Sequence, residues 1–219
     1  NAWTQCRLSC MVPGQVGCLD RLRDWGYTGH PGKISTMPHT ALIKAAQRIV
    51  SDSNRISFLT GAGISTDSGI PDFRGPSGLW TKDPDAEKLS DIRYYMSSRA
   101  IRTKAWIQRL HQFEQERLPN AGHLAIAQFE STGRVHALVT QNVDGLHQRA
   151  GSNPERLIEV HGTILNVRCL GCGRVSPMAE TLERVRQGED DPSCKLCGDI
   201  LKSDTISFGQ SLRDRKSVV

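Results

Sequence analysis

The run Ile56-Ser57-Phe58-Leu59-Thr60-Gly61-Ala62-Gly63-Ile64-Ser65, continuing to Ile70-Pro71-Asp72-Phe73-Arg74, constrains the fold more than any other stretch of this chain. An apolar, β-prone segment enters a glycine turn, the pattern of a strand that ends at a dinucleotide site. Gly61 is expected to permit the tight turn, and Gly63 to let backbone N–H groups approach a pyrophosphate. The G-x-G-x-x-G template of a dehydrogenase would place its third glycine where Thr66 stands, and the next glycine comes only at Gly69. Taken alone, the glycine pair fits a ligand-free turn equally well. The polar loop carrying Asp72, Phe73 and Arg74 is what makes the combination specific.

Around this turn the chain reads as α/β. Apolar residues Leu42, Ile43, Ala46, Ile49 and Val50 recur at helical spacing over 40–51. A mostly helical stretch is expected over 85–131, interrupted at Pro119-Asn120, with Asn120 as an N-cap. Strands are expected at 56–60, 135–140 and 157–160, with a fourth at 205–208. Two of these lead into polar residues, Gln141-Asn142-Val143-Asp144 and His161-Gly162. Ligands of open α/β sheets bind at the carboxyl ends of strands, so the strand ends are expected to converge on one crevice. The Gln141–Asp144 cluster is also compatible with a plain Asx-turn. An imidazole can exchange a proton at cellular pH, and His161 is placed to move one, whereas His147 reads as structural.

The seven cysteines fall into two sets. Cys169-x-x-Cys172 and Cys194-x-x-Cys197 read as two knuckles of a tetrahedral S4 zinc site, closed and therefore structural. Two disulfides or four idle thiols are the alternatives. A zinc site implies a reducing compartment, most simply the cytoplasm. A net charge of +5, spread along the chain without a basic block interleaved with aromatics, gives nucleic-acid binding no support. No apolar run approaches the roughly 20 residues of a membrane helix. Residues 1–36 lack any sustained apolar period and do not read as a signal peptide; they are expected to be a non-native or disordered leader ahead of Met37. Residues 214–219 resemble the translation of a sequencing adapter.

Four elements in one order — the glycine turn with its Asp-Phe-Arg loop, Gln141–Asp144, His161-Gly162 and the two knuckles — resemble the sirtuin family, in a bacterial style, over about 37–212. The resemblance implies a Rossmann-like parallel sheet (37–74, 134–164 and 204–213), a small helical module (75–133) and a zinc-ribbon module (165–203). It implies NAD-dependent removal of acyl groups from protein lysines, giving nicotinamide and O-acyl-ADP-ribose. Gly61, Ala62, Gly63, Thr66, Asp72, Phe73, Arg74, Gln141, Asn142, Asp144 and His161 would contact NAD, with His161 the general base on a ribose hydroxyl. Asp144 would hold the nicotinamide carboxamide, Phe73 would shield the sugar, and Cys169, Cys172, Cys194 and Cys197 would bind zinc. Acyl-lysine proteins or peptides are the implied partners.

The family's Gly-Thr/Ser-Ser loop, ribose-binding Asn strand and adenine-contacting segment do not occur here, and Gln210 stands where many members have Glu. The catalytic domain is therefore expected to be truncated at its carboxyl end, and the fragment to lack activity. No Tyr-x-x-Arg pair occurs, which disfavours succinyl or malonyl groups and leaves acetyl or longer neutral ones. Mono-ADP-ribosyl transfer from the same NAD site is an alternative activity. A zinc-ribbon interaction module without catalysis is another, but it leaves Gln141–Asp144 and His161 unexplained.

Overall fold

The computed structural model describes residues 39–76, 78–82 and 86–212; the expected leader and adapter-like tail lie outside the described residues. Helix α1 (His39–Asp52) forms where the apolar period indicates and belongs to a unit of its own, residues 1–52. The remainder, from Ser53 onward, is the second unit. It begins with β1 (Ile56–Thr60) and a 3₁₀ helix (Ala62–Ser68). Short helices α2 (Leu79–Lys82), α3 (Ala86–Ser90) and α4 (Ile92–Ser97) follow, then α5 (Arg99–Glu114) and α6 (Ala121–Glu130). Asn120 caps α6 as expected: its Oδ1 accepts from the Gly122 and His123 N–H groups, and His123 Nδ1 accepts in return from Asn120 N.

Strands β2 (Val135–Thr140) and β3 (Leu157–Glu159) join β1 in a parallel sheet of order β1-β2-β3. Parallel neighbours need crossovers, and the helices between β1 and β2 supply the first. The second is short and contains only α7 (Leu146–Arg149). Leu138, in the central strand, is fully buried, as a strand flanked on both sides requires.

A second sheet of order β5-β4-β6 is antiparallel and consists of β4 (Gly162–Cys169), β5 (Val175–Pro177) and β6 (Leu201–Thr205). Helix α8 (Met178–Arg186) packs on it. Val167, Met178, Leu182 and Leu201 share one core with Cys169, Cys194 and Trp106 of α5. The helical and cysteine-bearing segments thus share a common interior. Tyr95 donates to the Leu201 carbonyl at 2.7 Å, and the Arg102–Asp191 ion pair at 2.9 Å closes the same seam.

The fourth strand differs from expectation. It spans Leu201–Thr205, not 205–208, and pairs with β4 in the antiparallel sheet instead of extending the parallel one. Its Lys202, Ser203 and Asp204 are buried polar residues, so no apolar alternation marks it. Asp204 is instead held by Arg168 at 2.7 Å, and Lys202 Nζ donates to the Thr205 carbonyl. Among the described residues, no helix is long and apolar enough to cross a membrane.

Candidate functional site

Register brings the strand ends into one row: Thr60 pairs with Thr140, and Thr140 with Glu159. The ladder runs one step further, with Gln141 N donating to Thr60 O and Val160 N to Thr140 O, both at 3.0 Å. The glycine turn, the Gln141–Asp144 segment and His161 are therefore neighbours although they lie far apart in sequence.

Asn142 ties the first two together. Its Nδ2 donates to the Gly61 carbonyl at 3.1 Å and to Ser65 Oγ at 3.0 Å. Ser65, 1% exposed, passes its single proton to Asp144 Oδ2 at 2.7 Å, and Asp144 Oδ1 accepts from Leu146 N at 2.9 Å. The carboxylate is thereby fixed on both oxygens while keeping lone pairs to accept more. His161 Nδ1 lies 3.0 Å from the Gln141 carbonyl. A carbonyl can only accept, so Nδ1 carries the proton and Nε2 is left as the basic nitrogen, without a partner among the described residues.

Of the two glycines in the turn, Gly61 departs from the sequence expectation and Gly63 does not. Gly61 has an ordinary extended backbone (φ −143°), so no special conformation requires glycine there. At Gly63 a Cβ would meet nothing within 4 Å, so the bare backbone opens onto free space. The N–H groups of Ala62 and Gly63 donate to no described residue. An open, uncommitted stretch of backbone donors suits a pyrophosphate, so the residues present fit the dinucleotide. Gly162 has φ +77° and a Cβ there would collide with the Asp204 carbonyl oxygen, so its bare backbone admits β6.

The remaining candidates are placed less directly. Thr66 is exposed, and its hydroxyl donates back to the Gly63 carbonyl at 2.9 Å. Asp72 Oδ1 accepts from Gly75 N, closing its own loop. Phe73 packs on Trp80 (5.2 Å between ring centres) and Phe208 (6.5 Å), and the Arg74 guanidinium stacks over Trp80 at 4.6 Å. No described hydrogen bond joins Asp72, Phe73 or Arg74 to Asn142, Asp144 or His161. Phe208 bridges to Asp91, bringing the segment after β6 to this aromatic group.

Beneath the crevice lies a buried layer that sequence reasoning largely missed. His147, correctly read as structural, has Nε2 2.9 Å from Thr60 Oγ1, and Thr60 donates its proton to Thr140 Oγ1. The His123 ring is 4.9 Å from that of His147, edge-on, and His123 Nε2 reaches Ser65 Oγ at 3.4 Å. Burial lowers the pKa of both imidazoles, to about 4 for His147, so the pair is neutral under ordinary conditions. The Asn120-x-x-His123 spacing of the capping box was the available signal for His123.

The four knuckle cysteines are free and their sulfurs lie within 4.8 Å of one another, with Cys169–Cys197 at 3.4 Å and Cys172–Cys194 at 3.8 Å. A tetrahedron with Zn–S bonds of 2.3 Å has sulfurs about 3.8 Å apart, so the set fits one structural zinc ion. Backbone N–H groups of Cys197 and Leu196 aim at Cys194 and favour its thiolate, while the neighbouring sulfurs hold the Cys197 thiol above the usual range.

The sequence pattern of the Sir2 family matches residues 61–219. The chain belongs to the Sir2 family. Among Sir2 relatives, NAD-dependent protein deacetylase 2 of Streptomyces coelicolor is 49% identical over 157 residues, 72% of this chain and 65% of the relative. NAD-dependent protein deacetylase of Sulfolobus acidocaldarius is 44% identical over 167 residues, 76% and 64% respectively. A solved Sir2 structure with a deacetylated p53 peptide and 3'-O-acetyl ADP ribose superimposes with a TM-score of 0.68 at 31% identity, covering 78% of this chain and 67% of that one. The chain therefore spans slightly less than two thirds of the length of these two relatives.

Proposed function

We propose that this chain is part of an NAD-dependent protein lysine deacylase acting on acetylated or other neutral acyl-lysines, and that it works in the cytoplasm. The observation that carries the reading is the hydrogen-bonded path from the glycine turn through Asn142 to Asp144, with His161 anchored on the adjoining Gln141 carbonyl. The compartment rests on the four free thiols of the zinc cluster.

In this reading the backbone of Gly61, Ala62 and Gly63 holds the pyrophosphate. Thr66 and the loop carrying Asp72, Phe73 and Arg74 border the cofactor. Gln141 and Asn142 face the ribose, and Asp144, oriented by Ser65, receives the carboxamide. NAD supplies a leaving nicotinamide and an electrophilic sugar carbon when bound. His161 takes a proton from a ribose hydroxyl at Nε2 while the Gln141 carbonyl holds Nδ1–H, a neutral tautomer suited to a general base. The cysteine cluster holds the fold and stays outside the chemistry. Relatives named as deacetylases favour deacylation over mono-ADP-ribosyl transfer.

The test is nicotinamide release by the protein in its full reading frame, with NAD and an acetyl-lysine peptide. Release should require the acetyl group, and formation of the deacetylated peptide should fall by about 100-fold or more in His161→Ala, within the range for loss of a general base. Release that ignores the acetyl group, or deacetylation that survives the substitution in a folded protein, would refute the proposal.

A further inference from the structure

Parallel strands place all their amino ends on one edge of the sheet, opposite the crevice. In this chain an arginine directly precedes each of them: Arg55 before β1, Arg134 before β2 and Arg156 before β3. These three, with Asn54 and His136, line a cavity of about 340 Å³. No carboxylate is among its lining residues.

The guanidinium groups are held in place. Arg156 donates Nη1 to the Val135 carbonyl at 2.7 Å, which leaves its Nε and Nη2 without a partner among the described residues. Arg134 donates Nη1 to the Ser53 carbonyl at 3.1 Å and lies over the Phe129 ring at 4.8 Å. Arg55 Nη2 sits 2.7 Å from His136 Nε2. Three like charges gathered on one concavity repel one another, and an anion between them removes that repulsion. Arginine forks also match phosphate oxygens in pairs, where a lysine would offer a point charge. The concavity is open to solvent and lined mainly by polar groups, which suits a charged group more than an apolar ligand.

We propose that this cavity is a second anion site, separate from the NAD crevice, that takes a small phosphorylated ligand through a phosphate or pyrophosphate group. The five residues of β1 hold the two sites about 16 Å apart, so one ligand group cannot serve both. The inference does not depend on the deacylase reading.

Calorimetric titration of the full chain with inorganic pyrophosphate, and in parallel inorganic phosphate, at constant ionic strength tests it. Arg55→Gln should weaken pyrophosphate binding by about tenfold or more, as expected for one lost charge-assisted contact. Arg156→Lys keeps the charge but loses the fork and should also weaken it. Gly63→Val, which fills the space above the glycine turn, should leave this binding in place. Absence of binding at millimolar pyrophosphate overturns the proposal. So does binding that ignores both arginine substitutions, or that disappears in a folded Gly63→Val protein. A thermal melt of each variant establishes that it is folded.

Discussion

Acid should destabilise this protein through His147, by an amount that can be worked out from its surroundings. The side chain is 1% exposed. Thr60 gives its only hydroxyl proton to Thr140, so His147 Nε2 must carry a proton and donate it to Thr60. Nδ1 is then a buried nitrogen without a partner. Charging the ring would place a cation in that interior, 4.9 Å from the His123 ring. Burial first, and His123 second, lower the pKa from 6.5 to about 4, against the pull of Asp144. The folded value lies below the unfolded one. Stability is therefore complete above the unfolded pKa and is lost as pH falls through about 6.5 toward 4, where the unfolded state binds the extra proton. The full difference corresponds to about 3 kcal/mol, of which about 2 is lost by roughly pH 5, a large share of ordinary domain stability. Urea unfolding followed by circular dichroism, with zinc kept saturating so that thiolate protonation does not contribute, measures it. His147→Gln retains an N–H for Thr60 but cannot titrate. Its stability should fall by about 2 kcal/mol less than wild type between roughly pH 7.5 and 5. A variant that loses stability as steeply as wild type refutes the reasoning.

Two further outcomes follow from the packing. Gly162→Ala combines a left-handed backbone with a collision against the Asp204 carbonyl, and should lower stability by about 2 kcal/mol or more, read from the urea midpoint. An unchanged midpoint would mean that β4 and β6 do not meet there. Chelation, or Cys172→Ser, should release one zinc per chain and loosen the core that Cys169 and Cys194 share with Trp106, seen as increased quenching of tryptophan emission by acrylamide. Emission insensitive to metal removal would show that the cysteine cluster does not support this core.

Local energetics made several elements legible in the sequence. β1 and β2 appear at their expected bounds because apolar, β-branched runs end in glycine or polar residues. Asn120 was readable as a cap because the capping box is completed within four residues. The C-x-x-C pairs announced the cysteine cluster because each knuckle orients two sulfurs by itself. By contrast, β6 was expected four residues too late, at 205–208, since hydrophobic period cannot reveal a strand whose buried residues are Lys202, Ser203 and Asp204. Arg168 neutralises Asp204 from a position 36 residues away, and no local window contains both.

The sequence by itself determined the family and the residue types assembled at the strand ends, because those signals lie within short stretches of chain. Only the tertiary structure decided that Ser65 links Asn142 to Asp144, that Gly162 makes room for β6, and that His123 and His147 lie buried beneath the crevice. Each of these depends on partners brought together by strand register and crossover. A hydrogen bond across such a distance leaves no periodic trace in the sequence, because its geometry exists only once the sheet has formed.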